Sequence, residues 1–284
     1  MKFLTSFRLS FIFLIFQFIL FQSLYGANRY EIPPGVHYHR FASLVEGPEA
    51  SWVNPAALGY YRTISAQITG EIYDGSFGHN WGFNTVGDGV GISYRHLNDF
   101  EGAKYNEYIF GLGLRVNYGI YVGGSYRYVK DGPIALDGTH NWNIGLLVRQ
   151  NPKLYMAAVF SNLNREEIAG EQTDIEQLYS ISGMPFGRYL MVSAEMSLSV
   201  KQSISGARKV YGAEFYPSPG IIGYINFDND ENYELGIRVN LTSYFVGLQS
   251  RLASGGVHHG TSLTAGVVSD PQPSIIRPPG KYKK

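Results

Sequence analysis

The stretch that decides the fold is Tyr233-Glu234-Leu235-Gly236-Ile237-Arg238-Val239-Asn240-Leu241, in which every second residue is apolar. A similar alternation recurs at residues 108–116, 142–148 and 190–198, where most of the intervening residues are small or polar. Successive side chains of a β-strand point to opposite faces. Each stretch is therefore predicted to be a strand with one apolar face and one face that is mostly small or polar.

Alternation of this kind runs from residue 63 to residue 268 and predicts about 14 strands of roughly 9–11 residues, the length that crosses a bilayer when tilted. The predicted strands begin near Thr63, Ser76, Gly89, Tyr105, Tyr118, Trp142, Lys153, Glu176, Tyr189, Arg208, Ile221, Asn232, Ser243 and Thr261.

The connections between these strands differ by parity. Links after the even-numbered strands are tight, as at Gly87-Asp88 and Asn117-Tyr118, whereas most intervening links are longer and more polar, as at residues 130–141 and 162–175. Short turns on one side and longer loops on the other are typical of outer-membrane barrels, with the short turns in the periplasm. A soluble β-sandwich or jelly roll is the alternative, but it has no reason to sort its loops in this way. We predict an all-β fold, an antiparallel transmembrane β-barrel over residues 63–268.

If the apolar strand faces meet lipid, the opposite faces line the lumen. Because acidic and basic residues are mixed there, we expect ion pairs or contact with water rather than an ion-selective ring of one sign. Numerous glycines on the same faces indicate strand bending or close packing against an internal plug. The predicted polar lumen residues are Gln67, Glu71, Arg95, Glu107, Arg115, Arg127, Arg149, Glu195, Glu214, Glu234, Arg238 and Gln249, and the glycines are Gly111, Gly113, Gly123, Gly145, Gly212, Gly236 and Gly247.

Many tyrosines lie near the ends of predicted strands, where amphipathic rings form interfacial girdles in membrane barrels. The alternative is that tyrosine simply favours strands. The predicted girdle residues are Tyr73, Tyr94, Tyr126, Tyr128, Tyr189, Tyr216, Tyr224, Tyr233 and Tyr244.

The composition excludes several functions. The 23 basic and 23 acidic residues give a formal net charge of zero, which argues against a nucleic-acid partner. The absence of cysteine excludes disulfides, thiolate metal sites and a lipidated cysteine. The seven histidines are scattered and no catalytic constellation is recognisable, so we expect no enzyme, no catalytic residues, no metal and no cofactor.

Both termini carry segments distinct from the barrel. Lys2 and Arg8 precede an apolar run at residues 9–21, and small residues follow it, which predicts a signal peptide at residues 1–26. The alternative is an uncleaved N-terminal anchor. Residues 269–284 are rich in proline and lysine and predict an extended periplasmic tail.

Residues 27–62 are not strand-like and contain Trp52-Val53-Asn54-Pro55-Ala56-Ala57-Leu58-Gly59. This motif resembles the N-terminal signature of FadL/PorV-like outer-membrane proteins, whose barrels have 14 strands and an N-terminal hatch in the lumen. The resemblance implies that residues 27–62 form such a hatch, and that Asn54, Pro55 and Ala56 contact the inner wall. An ordinary Asn-Pro turn is the alternative interpretation.

The resemblance implies an outer-membrane protein through which small hydrophobic solutes pass. Two alternatives remain open: a non-enzymatic partner of a protein secretion system, and a barrel that anchors a periplasmic enzyme. The expected partners are accordingly outer-membrane lipid, hydrophobic small molecules, and secretion-machinery or periplasmic proteins. The chain lacks the long extracellular insertions of the family's fatty-acid transporters.

Overall fold

The computed structural model describes residues 41–61, 63–73, 76–98, 104–133, 136–151, 153–168, 171–185, 187, 189–252 and 258–269. Three predicted segments lie outside the described residues: the signal peptide at 1–26, residues 27–40 of the hatch, and residues 270–284 of the tail.

The described chain is almost entirely β-structure. The strands are β1 Ser65–Tyr73, β2 Ser76–Gly87, β3 Val90–Asn98, β4 Lys104–Asn117, β5 Ile120–Lys130, β6 His140–Asn151, β7 Leu154–Ser161, β8 Glu167–Ile168, β9 Glu171–Gln172, β10 Glu176–Gly183, β11 Leu190–Ser199, β12 Arg208–Ser218, β13 Ile221–Asp228, β14 Tyr233–Leu241, β15 Tyr244–Leu252 and β16 His258–Val268.

All strands except β8 and β9 join one closed antiparallel barrel, in which each strand pairs with its neighbours in sequence order. Strands β1 and β16 close it, with Ser65 opposite Val268. At this seam the inward hydroxyls of Thr69 and Thr264 are hydrogen bonded at 3.0 Å. Strands β8 and β9 form a separate hairpin within the loop between β7 and β10. The predicted 14-stranded barrel is confirmed.

The two ends of the barrel differ as the loop parity predicts. Links such as residues 88–89 and 219–220 are tight, and Gly89 and Gly220 adopt positive φ there. The opposite end carries most of the longer links. The backbone N–H of Ser269 donates to the carbonyl of Ile64 at 2.8 Å, so the first and last barrel strands meet at the tight-turn end. We call the two ends the turn end and the loop end.

The outer face of the barrel is an apolar belt. Side chains such as Phe110 of β4 (52% exposed), Ile144 of β6 and Leu235 of β14 project outward from strands around the barrel. This arrangement satisfies the backbone hydrogen bonds within the sheet while apolar side chains face outward, as a bilayer requires.

Aromatic rings surround part of the belt near the loop end. The ring centroids of Trp81 and Tyr94 lie 5.1 Å apart, and those of Tyr94 and Tyr108 lie 5.3 Å apart. Two predicted girdle residues do not face outward at all. Tyr216 and Tyr224 occupy inward positions of their strands: the Tyr216 hydroxyl donates to Glu214, and Tyr224 is buried. The prediction was wrong for these two because it used their distance from a strand end and ignored which face they occupy.

The lumen contains the short helical segment that precedes β1. It consists of a 3₁₀ turn at Gly47–Glu49, helix α1 at Ala50–Val53 and helix α2 at Ala56–Tyr60. We call residues 41–61 the plug. Among the residues that the structure describes, no helix has both the length and the apolar character needed to cross a membrane.

Candidate functional site

The plug lies against the inner wall at positions that only glycine can occupy. A Cβ added to Gly123 of β5 would lie 2.6 Å from the backbone N of Ala56, and one on Gly113 of β4 would lie 2.7 Å from the carbonyl oxygen of Pro55. The plug's own Gly59 packs on β4 in the same way, since a Cβ added to it would lie 2.6 Å from the backbone N of Leu114. Backbone-to-backbone packing of this kind leaves no room for a side chain.

The other lumen glycines divide into two groups. Gly111, Gly145 and Gly212 also face plug residues, so close packing against the plug is the correct interpretation for them. Gly236 is covered instead by the ring of Tyr224 from the neighbouring strand, and Gly247 makes only ordinary contacts.

Asn54 holds the two plug helices together and ties them to the wall. Its side-chain Nδ2 donates to the carbonyls of Ala42 (3.1 Å) and Leu146 (3.3 Å), while its Oδ1 accepts from the backbone N of Ala56 (3.0 Å). The Asn54 side chain is fully buried, so each bond replaces one that water would otherwise make. Pro55 and Ala56 lie beside Gly123 and Gly145.

Arg149 of β6 is the main polar clamp on the plug. Its Nη2 donates to the carbonyls of Ser43 (2.8 Å) and Val45 (3.2 Å), and its Nη1 donates to the Glu46 carboxylate (2.5 Å). The guanidinium also lies 4.4 Å from the centroid of the Tyr60 ring. The planar fork of arginine suits this set of acceptors, whereas a lysine ammonium would reach fewer of them.

Shorter polar side chains fasten the plug around the lumen. The Ser51 and Ser93 hydroxyls lie 2.6 Å apart, and the Ser43 hydroxyl is 2.6 Å from that of Ser182. Further hydrogen bonds run from Gln67 to Glu49 (3.1 Å), from the backbone N of Ala42 to Glu195 (2.9 Å), and from Trp52 to Asn84.

Three of the predicted lumen charges form one buried cluster. The Glu107 carboxylate on β4 is ion-paired with Arg95 on β3 and with Arg127 on β5, and Glu107 is fully buried. The Arg95 guanidinium lies 3.6 Å from the centroid of the plug's Trp52 ring. The cluster therefore joins three neighbouring strands to the plug.

The remaining predicted lumen residues occupy separate places on the wall. Glu71 accepts from Asn80, Glu214 accepts from Tyr216, and Glu234 is paired with Arg251. Arg238 stacks on Phe245, and Gln249 is buried on β15. Arg115 is exposed near the turn end, next to Tyr118. The ion pairs described here connect neighbouring strands, or a strand with the plug, rather than crossing an open lumen.

Several residues that fasten the plug were not among the predicted site residues. The most important are Ser43, Glu46 and Ser51 on the plug and Ser93 and Ser182 on the wall. Ser93 and Ser182 occupy inward strand positions, so the alternation could have identified them if hydroxyls had been counted with the charged residues.

Apolar side chains also gather inside the barrel near its loop end. Leu97, Tyr105 and Val129 are buried together on β3, β4 and β5, and Leu136 of the β5–β6 loop packs against them. We call these four residues the mouth cluster. A second apolar group around Phe41 includes Tyr155 and Met191.

Within the described ranges, no group of three or more His, Cys, Asp or Glu residues is arranged to hold a metal ion.

Comparisons with known proteins agree on the fold. The Ralstonia pickettii toluene transporter TbuX superposes with a TM-score of 0.54 at 11% identity, covering 80% of this chain and 94% of the transporter. A Pseudomonas aeruginosa FadL homologue superposes with a TM-score of 0.50 at 9% identity, covering 81% of this chain and 96% of the homologue.

No family model and no curated protein matches the sequence. The structural likeness supports the FadL-like resemblance at the level of the fold, and a barrel of this kind fits an outer-membrane location.

Proposed function

We propose that this protein lets small hydrophobic solutes pass through its plugged lumen across the outer membrane, without enzymatic activity. The observation that carries the proposal is the plug: residues 41–61 lie inside a closed barrel and fasten to its wall from β1 round to β11. A solute that crosses the barrel must therefore meet the plug or the surfaces beside it. The predicted export signal and periplasmic tail are part of the same proposal.

The solute class follows from the lining of the loop end. The mouth cluster is an apolar group inside the loop end, and Leu136 is its partly exposed member, which a solute arriving from outside would contact first. Transfer of apolar surface from water to such a lining is favourable. TbuX is described as a toluene transporter, and its likeness in fold supports a solute of similar character.

Uptake of toluene by intact cells tests the proposal. A Gram-negative host with an undisturbed outer membrane would express the full chain, and uptake of labelled toluene would be compared with that of a vector control. We expect faster uptake with the chain present. Equal uptake, with folded protein in the outer membrane, would overturn the proposal.

A pair of variants tests the role of the mouth cluster. Leu136→Asn places an amide within the cluster, whereas Leu163→Asn makes the same change in the β7–β8 loop. We expect Leu136→Asn to slow toluene uptake severalfold, because the apolar surface at the mouth is lost, and Leu163→Asn to leave uptake unchanged.

A further inference from the structure

The plug does not cover all strands of the inner wall equally. The plug's hydrogen bonds described above fall on β1, β2, β3, β6, β10 and β11, and its backbone packs on β4 and β5. Inward residues of those strands are mostly buried. On β14, by contrast, Gly236, Arg238 and Asn240 face inward and remain partly exposed, and Gly266 of β16 does likewise. These four positions are therefore partly accessible to water beside the described plug residues 41–61.

Side chains rather than backbone narrow this accessible region. The ring of Tyr224 lies against Gly236, and the ring of Phe245 lies against Gly266. Both rings are buried, and the Arg238 guanidinium lies 4.0 Å from the Phe245 ring centroid. Side chains can change rotamer without any movement of the plug or the barrel wall.

A buried amide beside Gly236 has no hydrogen-bond partner among the described residues. Gln249 is 3% exposed, and neither its Nε2 nor its Oε1 has one. Its neighbours across the sheet are Gly236 and Ser262, so it projects into the lumen near the Tyr224 ring that covers Gly236. Buried amides in proteins nearly always have partners, and a polar ligand or ordered water would supply them here.

Charge continues this polar lining toward the loop end. Arg251 lies two residues beyond Gln249 on β15, and its side chain is 24% exposed and paired with Glu234 at 2.8 Å. Toward the turn end, Arg238 Nε donates to Asn240 Oδ1 at 3.0 Å. Polar groups therefore line the wall on both sides of the Tyr224 ring. We call Tyr224, Gly236, Arg238, Phe245, Gln249 and Arg251 the β14 strip.

We propose that the β14 strip is a second, hydrated path, along which small inorganic anions cross the barrel while the plug stays seated. Tyr224 beside Gly236 and Phe245 beside Gly266 narrow it at two places, Gln249 supplies a donor and an acceptor at the first, and Arg238, which stacks on Phe245, favours anions. This path is independent of the proposed passage of hydrophobic solutes. Charged and polar pore linings of this type determine which ions enter and how fast they leave.

A disulfide lock separates this path from one that needs the plug to move. The natural chain has no cysteine, and the Ser51 and Ser93 hydroxyl oxygens are 2.6 Å apart, so the double variant Ser51→Cys/Ser93→Cys can be crosslinked between plug and wall. Purified full-length protein, shown by heat-modifiable gel migration to be folded, would be inserted into planar bilayers in KCl. We expect the same conductance with the lock oxidised and reduced. Conductance that appears only after reduction would overturn the proposal.

Matched substitutions locate the path. Tyr224→Ala removes a constricting ring, whereas Tyr121→Ala removes an equally inward ring next to the plug's Tyr60. In the locked background we expect Tyr224→Ala to raise conductance about twofold or more and Tyr121→Ala to leave it unchanged. Equal effects of the two variants, or no conductance from either, would contradict the proposal.

The selectivity of the path for anions over cations is a further measurement, and it would not change if a substitution only widened the path. In a KCl gradient the natural chain is expected to show an anion-selective reversal potential, and Arg238→Glu is expected to move it toward cation selectivity. An unchanged reversal potential in Arg238→Glu would show that ions do not pass Arg238.

Discussion

At the scale of single residues, glycines determine how closely the plug can approach the wall. Gly123 and Gly124 are neighbours on β5, but only Gly123 faces the plug. A Cβ on Gly124 would have no contact closer than 3.6 Å, to the carbonyl oxygen of Asn143. The same substitution, glycine to alanine, can therefore be compared on the inner and the outer face of one strand.

Gly123→Ala is predicted to destabilise the seated plug by about 1–3 kcal/mol, because the added methyl group overlaps plug backbone that cannot move aside. Gly124→Ala is predicted to be neutral or to stabilise the barrel by about 0.5–1 kcal/mol, since glycine weakens a strand relative to alanine. Hydrogen exchange of residues 41–61 would measure the first effect. Equal exchange in both variants would show that the plug does not rest on Gly123.

Arg149→Lys is predicted to weaken the plug's attachment by about 1–3 kcal/mol, because one ammonium cannot satisfy the carbonyls of Ser43 and Val45 together with Glu46. Arg115→Lys, at an exposed position near the turn end, is the matched control and is predicted to have no effect. Limited proteolysis of residues 41–46 would distinguish the two variants. Comparable cleavage rates in the two variants would show that Arg149 does not hold the plug.

Alternation of side chains shows which residues can face the lumen, but it cannot identify their partners. It places Arg95 and Glu107 on inward faces, yet their pairing depends on the register between β3 and β4, where the two residues lie directly opposite each other. The plug contacts of Arg149 depend on tertiary packing that no local pattern contains. For Tyr224 the alternation was not applied: its place near a strand end suggested the outer girdle, whereas its position in the alternating pattern puts it on the inner face.

At the scale of elements, the charge cluster of Arg95, Glu107 and Arg127 joins β3, β4 and β5 within the barrel. Glu107 is fully buried, so removing its charge leaves two guanidiniums close together without their shared counter-ion. The cluster is thus predicted to stabilise this part of the wall only while it is complete.

Glu107→Gln is predicted to lower the free energy of unfolding by about 3–5 kcal/mol. Glu167→Gln, an exposed change of the same kind in the β8–β9 hairpin, is predicted to be close to neutral. Urea titration of the protein folded into lipid vesicles provides the comparison. A loss in Glu107→Gln no greater than in the control would contradict the account of the cluster.

Strands were easier to predict than the plug's helices. Period-two alternation over segments such as β14 is strong enough to predict both their existence and their faces. Helices α1 and α2 contain only four and five residues, too few to show a helical period, and they form because the barrel wall packs around them. The sequence therefore indicated only that this segment is not strand-like.

At the scale of the whole molecule, the apolar belt distinguishes a membrane barrel from a soluble one. Phe110 projects outward near the middle of β4, whereas Tyr128 projects outward near the loop end of β5. A charged residue at the middle of the belt should destabilise the protein more than one near its edge if the belt lies in a bilayer. In water the two charges should destabilise it to a similar extent.

Phe110→Arg is predicted to destabilise the protein in lipid vesicles by about 2–4 kcal/mol, and Tyr128→Arg by about 0–1 kcal/mol, because the cost of a charge falls from the bilayer midplane to the interface. Folding titrations in vesicles would measure both variants. If the two variants cost the same, the belt does not lie across a bilayer.

The barrel itself could be predicted because loop parity and strand length act together over the whole chain. The plug's place in the lumen was implied only by the resemblance at Asn54, Pro55 and Ala56, since packing inside a closed sheet depends on contacts between residues far apart in sequence. The side chains of Ser43 and Ser182, for example, meet across 139 positions.

The plug is placed inside a membrane-inserted barrel, and thiol accessibility of Ser51→Cys/Ser93→Cys in isolated outer membranes tests this placement directly. We predict that the protein fractionates with the outer membrane and that its two thiols oxidise to an internal crosslink, which a membrane-impermeant maleimide cannot label until it is reduced. Recovery in the soluble fraction, or two free thiols that the reagent labels at once, would contradict it.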